Sequence, residues 1–345
     1  MPHKNKNILN NNINASMLAY MIGDAMGAPY ELSSGRKKLK TATKNEVLKI
    51  KQNHTVRVQY KPSKNMVPGQ VTDDTEMGIA LYTAISKEDD WVKNTVIQHY
   101  LDWANSGNPT MGKNTRALFK GIKTLKGQAN RHAKEFKTKK QKEDKQSNGC
   151  LMRLAPLGAY CLRYNVDLDT ALEWTKKDVY LTNPNTFCAD ICMAYINAMY
   201  AICEVDESKS FATKAKVGLY VLDSIRERVH ENSKYQKMFD FLDNEDLDIT
   251  VNGGHIINAY WCCVKALEWL SSEDWSVADI YADIIMRGGD TDTNMAIAGA
   301  LIGLCFNYEE VYNELRVAAK KVLNADYNDG DVPRPKKYDI YNLFD

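Results

Sequence analysis

Helical apolar spacing runs through almost the whole of this 345-residue chain. Apolar residues recur three and four positions apart in 15–28, 75–86, 91–104, 114–125, 152–164 and 168–177. The same spacing continues through 185–205, 212–230, 256–270, 277–286, 294–306 and 309–323. Such a period gives each helix one apolar stripe, which other helices must cover. Alternating runs that would build a sheet are nearly absent, and 55–60 is the one weak strand candidate. Gly and Pro fall between the runs, at Pro68-Gly69, Asn148-Gly149, Gly253-Gly254 and Gly288-Gly289. The sequence predicts an all-α globule of roughly a dozen helices.

With 44% hydrophobic residues the chain has ample material for a core. Its 45 basic and 44 acidic residues leave a formal charge of +1, which argues against a dedicated nucleic-acid binder. Residues 1–14 are Lys- and Asn-rich and read as a flexible segment without the apolar run of a signal peptide. No run approaches about 18 uninterrupted apolar residues, so no membrane span is expected. The eight cysteines form no C-x-x-C pair and lie mostly in apolar helical segments. They read as small buried hydrophobes in a reducing compartment, and a cytoplasmic protein is expected. Residues 131–146 are strongly basic and read as a solvated loop insertion or an irregular helix extension. The tail 326–345, with Pro333 and Pro335, should be extended and poorly packed until 338–344 docks.

Two segments share a pattern. Thr72-Asp73-Asp74-Thr75 follows Gly69, and Asp290-Thr291-Asp292-Thr293 follows Gly288-Gly289; each opens a helix of small apolar residues. Asp and Thr are ordinary helix caps, and the helix dipole favours negative charge there. Only one side chain can occupy a cap position, however, and the surplus carboxylates repel one another unless a cation is present. Hard oxygen donors of this kind suit Mg²⁺ or Mn²⁺. From the chemistry alone, a shared metal site and two elaborate caps are equally good accounts. A third segment, Gly23-Asp24-Ala25-Met26-Gly27, continues through Pro29 to Glu31; its small residues allow close helix contact and bring an acid to the helix end.

Together these segments resemble the ADP-ribosylglycohydrolase family, which includes the dinitrogenase-reductase-activating glycohydrolases. The likeness spans residues 15–307 and rests on Gly23 to Glu31, Thr72 to Thr75 and, most diagnostically, Gly288 to Thr293. Ser147-Asn148-Gly149-Cys150-Leu151-Met152-Arg153, with Pro156 and Gly158, is similar to a further loop of the family. The resemblance implies a single-domain, all-α orthogonal bundle over 15–325 that binds two Mg²⁺ or Mn²⁺ ions. It implies hydrolysis of the glycosidic bond between ADP-ribose and an acceptor, a protein side chain such as arginine or another conjugate, by a monomer. Nucleic acid enters only as a modified substrate. Thr72, Asp73, Asp74, Asp290, Asp292 and Thr293 would ligate the metals.

Ser147, Asn148, Gly149, Cys150, Leu151 and Met152 would cradle the ADP-ribose phosphates. Gly149 supports that role, because it can expose successive backbone N–H groups to an anion ahead of a helix. His255 is placed near the ribose, with a structural histidine as its plainer reading. The basic stretch beside the loop could steer an anionic substrate inward. The expected chemistry is metal-assisted attack of water through an oxocarbenium-like state. Glu31 is preferred to Asp73 as the proton carrier, because carboxylates committed to ions make poor bases. The rival reading is a non-catalytic member that binds ADP-ribose or serves a structural role.

The chain departs from the family pattern at Thr182-Asn183, where Thr-His is usual, and at Asn307-Tyr308, where Ile-Pro is usual.

Overall fold

A computed structural model of the chain describes residues 6–31, 59–60, 64–225, 242, 244, 247–328 and 330–344. Among them are α1 (Lys6–Gly27), α2 (Asp73–Glu88), α3 (Lys93–Ala104), α4 (Lys113–Phe119) and α5 (Leu125–Glu135). The chain continues through α6 (Lys139–Glu143), α7 (Leu154–Arg163), α8 (Leu168–Val179), α9 (Thr186–Glu204) and α10 (Phe211–Asp223). It ends with α11 (Ile256–Ser271), α12 (Val277–Arg287), α13 (Thr291–Leu304), α14 (Tyr308–Glu314) and α15 (Arg316–Leu323). The only sheet among the described residues is a ladder of Gln59–Tyr60 (β1) against Lys64–Asn65 (β2). The all-α prediction holds. The strand candidate keeps only its last two residues, and 55–58 lie outside the described residues.

The centre of the fold is α1 against α13, the two helices richest in small residues. Their backbones touch where side chains are missing: a Cβ at Gly27 would collide with Thr291 O and Asp292 Cα. Hydrogen bonds stitch the seam, with Ser16 Oγ donating to Ala300 O and Thr291 Oγ1 donating to Gly27 O, both at 2.7 Å. This close approach holds the C-terminal end of α1, and Glu31 just beyond it, beside the acidic start of α13. Helices α2, α7, α9 and α11 extend one continuous apolar core around the pair. All eight cysteines are buried and none is in a disulfide.

Several boundaries move. α1 starts at Lys6, so the segment 1–14 is helical from that residue onward, and 1–5 lie outside the described residues. Burial of Leu9, Asn12 and Ile13 outweighs the low helix propensity of the asparagine run. The run 114–125 divides into α4 and α5 at Gly121, whose φ of 77° no helix admits, and Thr124 caps the restart. The run 309–323 divides at Leu315, and the part of 212–230 beyond 225 lies outside the described residues. The basic stretch 131–146 is the end of α5 and the short, exposed α6 rather than a loop. The tail packs earlier than expected, with Val332 and Arg334 buried as well as Tyr338, Ile340 and Leu343.

α9 is the one described helix long and apolar enough to cross a membrane, although Asp190 and Asn197 interrupt its apolar run. In the fold it is a core helix, and 72% of that window is buried.

Candidate active site

The start of α2 is capped from another helix. Both carboxylate oxygens of Asp24, fully buried in α1, accept from Thr72 N at 3.0–3.1 Å. Asp24 Oδ2 also takes the Thr75 N–H at 3.1 Å and the Thr75 hydroxyl at 2.6 Å. Orphan donors of the first turn are thus satisfied by Asp24, and Asp73 and Asp74 are left for other work. Asp73 Oδ2 accepts from Gly112 N, while Thr72 Oγ1 donates to Asp74 Oδ2 at 3.0 Å. Asp74 Oδ1 is buried without a hydrogen-bond partner.

At the other acidic start, Gly288 and Gly289 have φ of 76° and 83°, values that exclude most side chains from this turn. Asp290 occupies the cap position of α13 but makes no side-chain cap bond; its Oδ2 accepts from Asn148 Nδ2 at 3.0 Å. Asp292 Oδ1 accepts only from the adjacent Thr293 N–H among the bonds seen. Asp290 thus holds a cap position without making a cap bond, and Asp73 and Asp74 do not occupy the cap position of α2, which is Thr72.

Asp74, Asp290 and Asp292 converge instead, while Asp73 lines the same cleft outside both groups. Carboxylate oxygens of Asp24, Asp74 and Asp292 lie within 4.8 Å of one another, as do those of Glu31, Asp290 and Asp292. Two triads therefore share Asp292. Burial, reinforced by the neighbouring acids, pushes Glu31 up to about 8 and Asp73 up to about 6. Burial likewise raises Asp24 to about 6, and holds Asp74 and Asp292 well above the carboxylate range. An all-oxygen set of repelling, desolvated carboxylates with one orphaned oxygen fits a hard divalent cation. The arrangement could hold metal.

A cleft of about 330 Å³ opens on the cluster, lined by Glu31, Asp73, Asp74, Asp290, Asp292 and Thr293. Thr110, Gly112 and Asn114 complete it from one side, with Ser147, Asn148, Gly149 and Met152 from the loop before α7. Thr72 is buried behind the cleft at the start of α2. A larger groove of about 860 Å³, beside Trp91, His132 and Tyr180, contains none of these acids.

The structure changes the reading of Cys150, Leu151, Met152 and His255. Cys150 and Leu151 are fully buried and do not line the cleft. The N–H groups of Leu151 and Met152 both turn inward to Asn148 O, at 2.8 and 3.0 Å, so they are not free to cradle a phosphate. His255 is the cap of α11: Nδ1 accepts from Ile257 N at 3.1 Å, which makes Nε2 the protonated atom facing Gln146 Oε1 at 3.0 Å. Its ring lines a neighbouring hollow with Asn252 and Asn258, not the acidic cleft.

The loop is held by side chains the sequence did not single out for this. Buried Arg153 donates to Gly149 O at 2.6 Å while paired with Asp178 at 2.7 Å. Asn183, noted only as a departure, donates to Lys145 O and Ser147 O. The Tyr20 hydroxyl lies 2.7 Å from both Asp74 O and Met152 O, joining α1, α2 and the loop. Thr110 and Asp24 were likewise unassigned. Asp24 had a visible signal in its place within the small-residue helix, whereas Thr110 stands in an unremarkable turn.

Fold and cleft thus define an all-α protein with a glycine-framed acidic centre that could hold a metal ion. The sequence profile of the ADP-ribosylglycohydrolase family matches residues 5–330, and the chain belongs to that family. A protein of Acanthamoeba polyphaga mimivirus, provisionally named an ADP-ribosyl glycohydrolase, is 24% identical over 309 residues, covering 84% of this chain and 86% of its own. A solved ADP-ribosylglycohydrolase-related protein complex shares the fold, with a TM-score of 0.57 at 15% identity, over 92% of this chain and 98% of that one.

Proposed function

We propose that the chain is a divalent-cation-dependent hydrolase of the glycosidic bond between ADP-ribose and an acceptor, such as an arginine side chain of a protein or another conjugate. One observation carries the reading: two carboxylate triads that share Asp292, set in a cleft whose other wall is the 147–152 loop. Mg²⁺ or Mn²⁺, as two ions, held by Asp73, Asp74, Asp290 and Asp292 with the hydroxyls of Thr72 and Thr293, would offset the cluster's charge and lower the pKa of a water.

The remaining chemistry belongs to the chain. Asn148 and Gly149 line the cleft and would meet the diphosphate, while Arg153 holds the loop in place from behind. Glu31 lies at the cleft edge, and its buried surroundings give it a proton affinity near neutrality. In the reaction Glu31 takes a proton from the water that attacks the anomeric carbon. The bond to the acceptor breaks, and the proton passes to the departing group. Asp290 and Asp73 beside the sugar would stabilise its cationic transition state.

The test is release of ADP-ribose from a panel of defined arginine-, serine-, acetyl- and nucleic-acid-linked conjugates, with Mg²⁺, with Mn²⁺ and with chelator. The proposal expects release from at least one linkage, only with a divalent cation. Tight binding of ADP-ribose without release from any conjugate would support a binding protein instead.

A further inference from the structure

We propose that Arg334, in the C-terminal tail, is a positioning residue that fixes Asp73 in the acid cluster through Glu76, Asn108 and Thr110. The inference rests on reading that cluster as a divalent-cation site. Arg334 lies just beyond residues 5–330, the span that the family profile matches.

The connection can be followed bond by bond. The Arg334 guanidinium grips Glu76 with two donors, Nε to Oε1 at 2.6 Å and Nη2 to Oε2 at 2.7 Å, both side chains being 1% exposed. It also donates to Ser106 O at 3.0 Å and Ser106 Oγ at 2.8 Å, which anchors the start of the 106–112 turn. Glu76 Oε2 takes the Asn108 amide N–H at 2.7 Å and the Trp103 indole N–H at 3.0 Å.

Capture of the amide nitrogen fixes the orientation of Asn108 and leaves its oxygen to the turn. Asn108 Oδ1 accepts from Thr110 N and Thr110 Oγ1 at 2.9 Å and from Met111 N at 3.0 Å. With its proton committed to Asn108, the Thr110 hydroxyl presents lone pairs to the Asp73 N–H at 2.9 Å. Two residues on, Gly112 N–H holds the Asp73 carboxylate at 3.2 Å. The turn that Arg334 and Glu76 hold thus grips Asp73 at backbone and side chain. A surface ion pair would be worth little, but this one is dry, bidentate and shares its acceptor with the turn.

The experiment measures the Mn²⁺ dissociation constant of the full chain by electron paramagnetic resonance, and amide exchange across residues 72–75 in chelated protein. The variants are Arg334→Ala, Arg334→Lys, Asn108→Ala and the Arg334→Ala/Asn108→Ala double. Supporting groups behind metal ligands typically contribute 10–100-fold in affinity. Arg334→Ala and Asn108→Ala should each weaken Mn²⁺ binding by about tenfold or more and speed exchange of the Asp73 amide. Arg334→Lys, which keeps the charge but not the fork, should recover part of the loss. In the double variant the losses should not add, because both act through one chain of contacts.

Wild-type Mn²⁺ affinity and Asp73 protection in either single variant, or losses that simply add, would overturn the proposal. If Arg334→Ala does not fold, Asn108→Ala decides, since it leaves the Arg334–Glu76 pair in place. Failure of the wild-type chain to bind Mn²⁺ would instead refute the cation site, and the proposal with it.

Discussion

Replacing Asp73 by asparagine should stabilise the chelated protein at alkaline pH, although Asp73 stands in the proposed active site. Asparagine has nearly the shape of the protonated carboxyl and can still accept from Gly112 N. Burial raises Asp73 from the ordinary 3.8 to about 6, so the folded chain keeps this proton after the unfolded chain has lost it. The stability tied to that proton is intact below about pH 4 and lost as pH rises through 6. At 1.36 kcal/mol per pKa unit, wild type loses about 3 kcal/mol at this site by pH 8. The neighbouring acids titrate with it, so about 3 kcal/mol is an upper figure. Asp73→Asn has no such loss.

Half-buried His99, His132 and His255, all lowered by desolvation, give the opposite slope below 6.5. They are the same in both proteins and cancel in the difference. Urea unfolding with chelator, at pH 4 and at pH 8, should show the variant gaining on wild type by up to about 3 kcal/mol between the two. Saturating Mg²⁺ at pH 8 should reverse the order, because only wild type keeps the full ligand set. A variant that does not gain on wild type between pH 4 and pH 8 in chelator, or that gains as much from Mg²⁺, would refute the reasoning.

Gly27→Ala should lower stability by about 1–3 kcal/mol or more in urea unfolding and reduce Mn²⁺ affinity, because the new methyl would push α1 off Thr291 and Asp292. His255→Ala should cost about 1 kcal/mol of stability through the lost α11 cap yet leave kcat/KM for an ADP-ribose conjugate close to wild type.

What could be read from the sequence was what local pattern encodes. Apolar spacing marked the helices, and surplus carboxylates after Gly69 and Gly288-Gly289 marked residues that now share one cleft. Helix ends were displaced where tertiary contacts override propensity: Asn11 and Asn12 sit inside α1, with Asn11 Oδ1 holding the Tyr308 N–H at 2.8 Å. Side-chain direction was not legible. Gly253-Gly254-His255 gives no sign that the imidazole turns back to cap its own helix. Long-range polar contacts were hidden altogether, because Glu76 and Arg334 are 258 positions apart and neither stands in a motif. The use of Asp24 as the cap of α2, 48 positions downstream, was hidden for the same reason.

The central claim is that the shared acid cluster makes turnover depend on a divalent cation. Its most direct test is a single-turnover assay of ADP-ribose release from an ADP-ribosylated substrate by chelator-stripped enzyme, titrated with Mg²⁺, for wild type and Asp292→Asn. Wild type should be silent without the cation and rise saturably with it, while Asp292→Asn, which breaks both triads, should stay silent although folded by circular dichroism. Release by stripped wild type, or full activity in Asp292→Asn, would contradict the account.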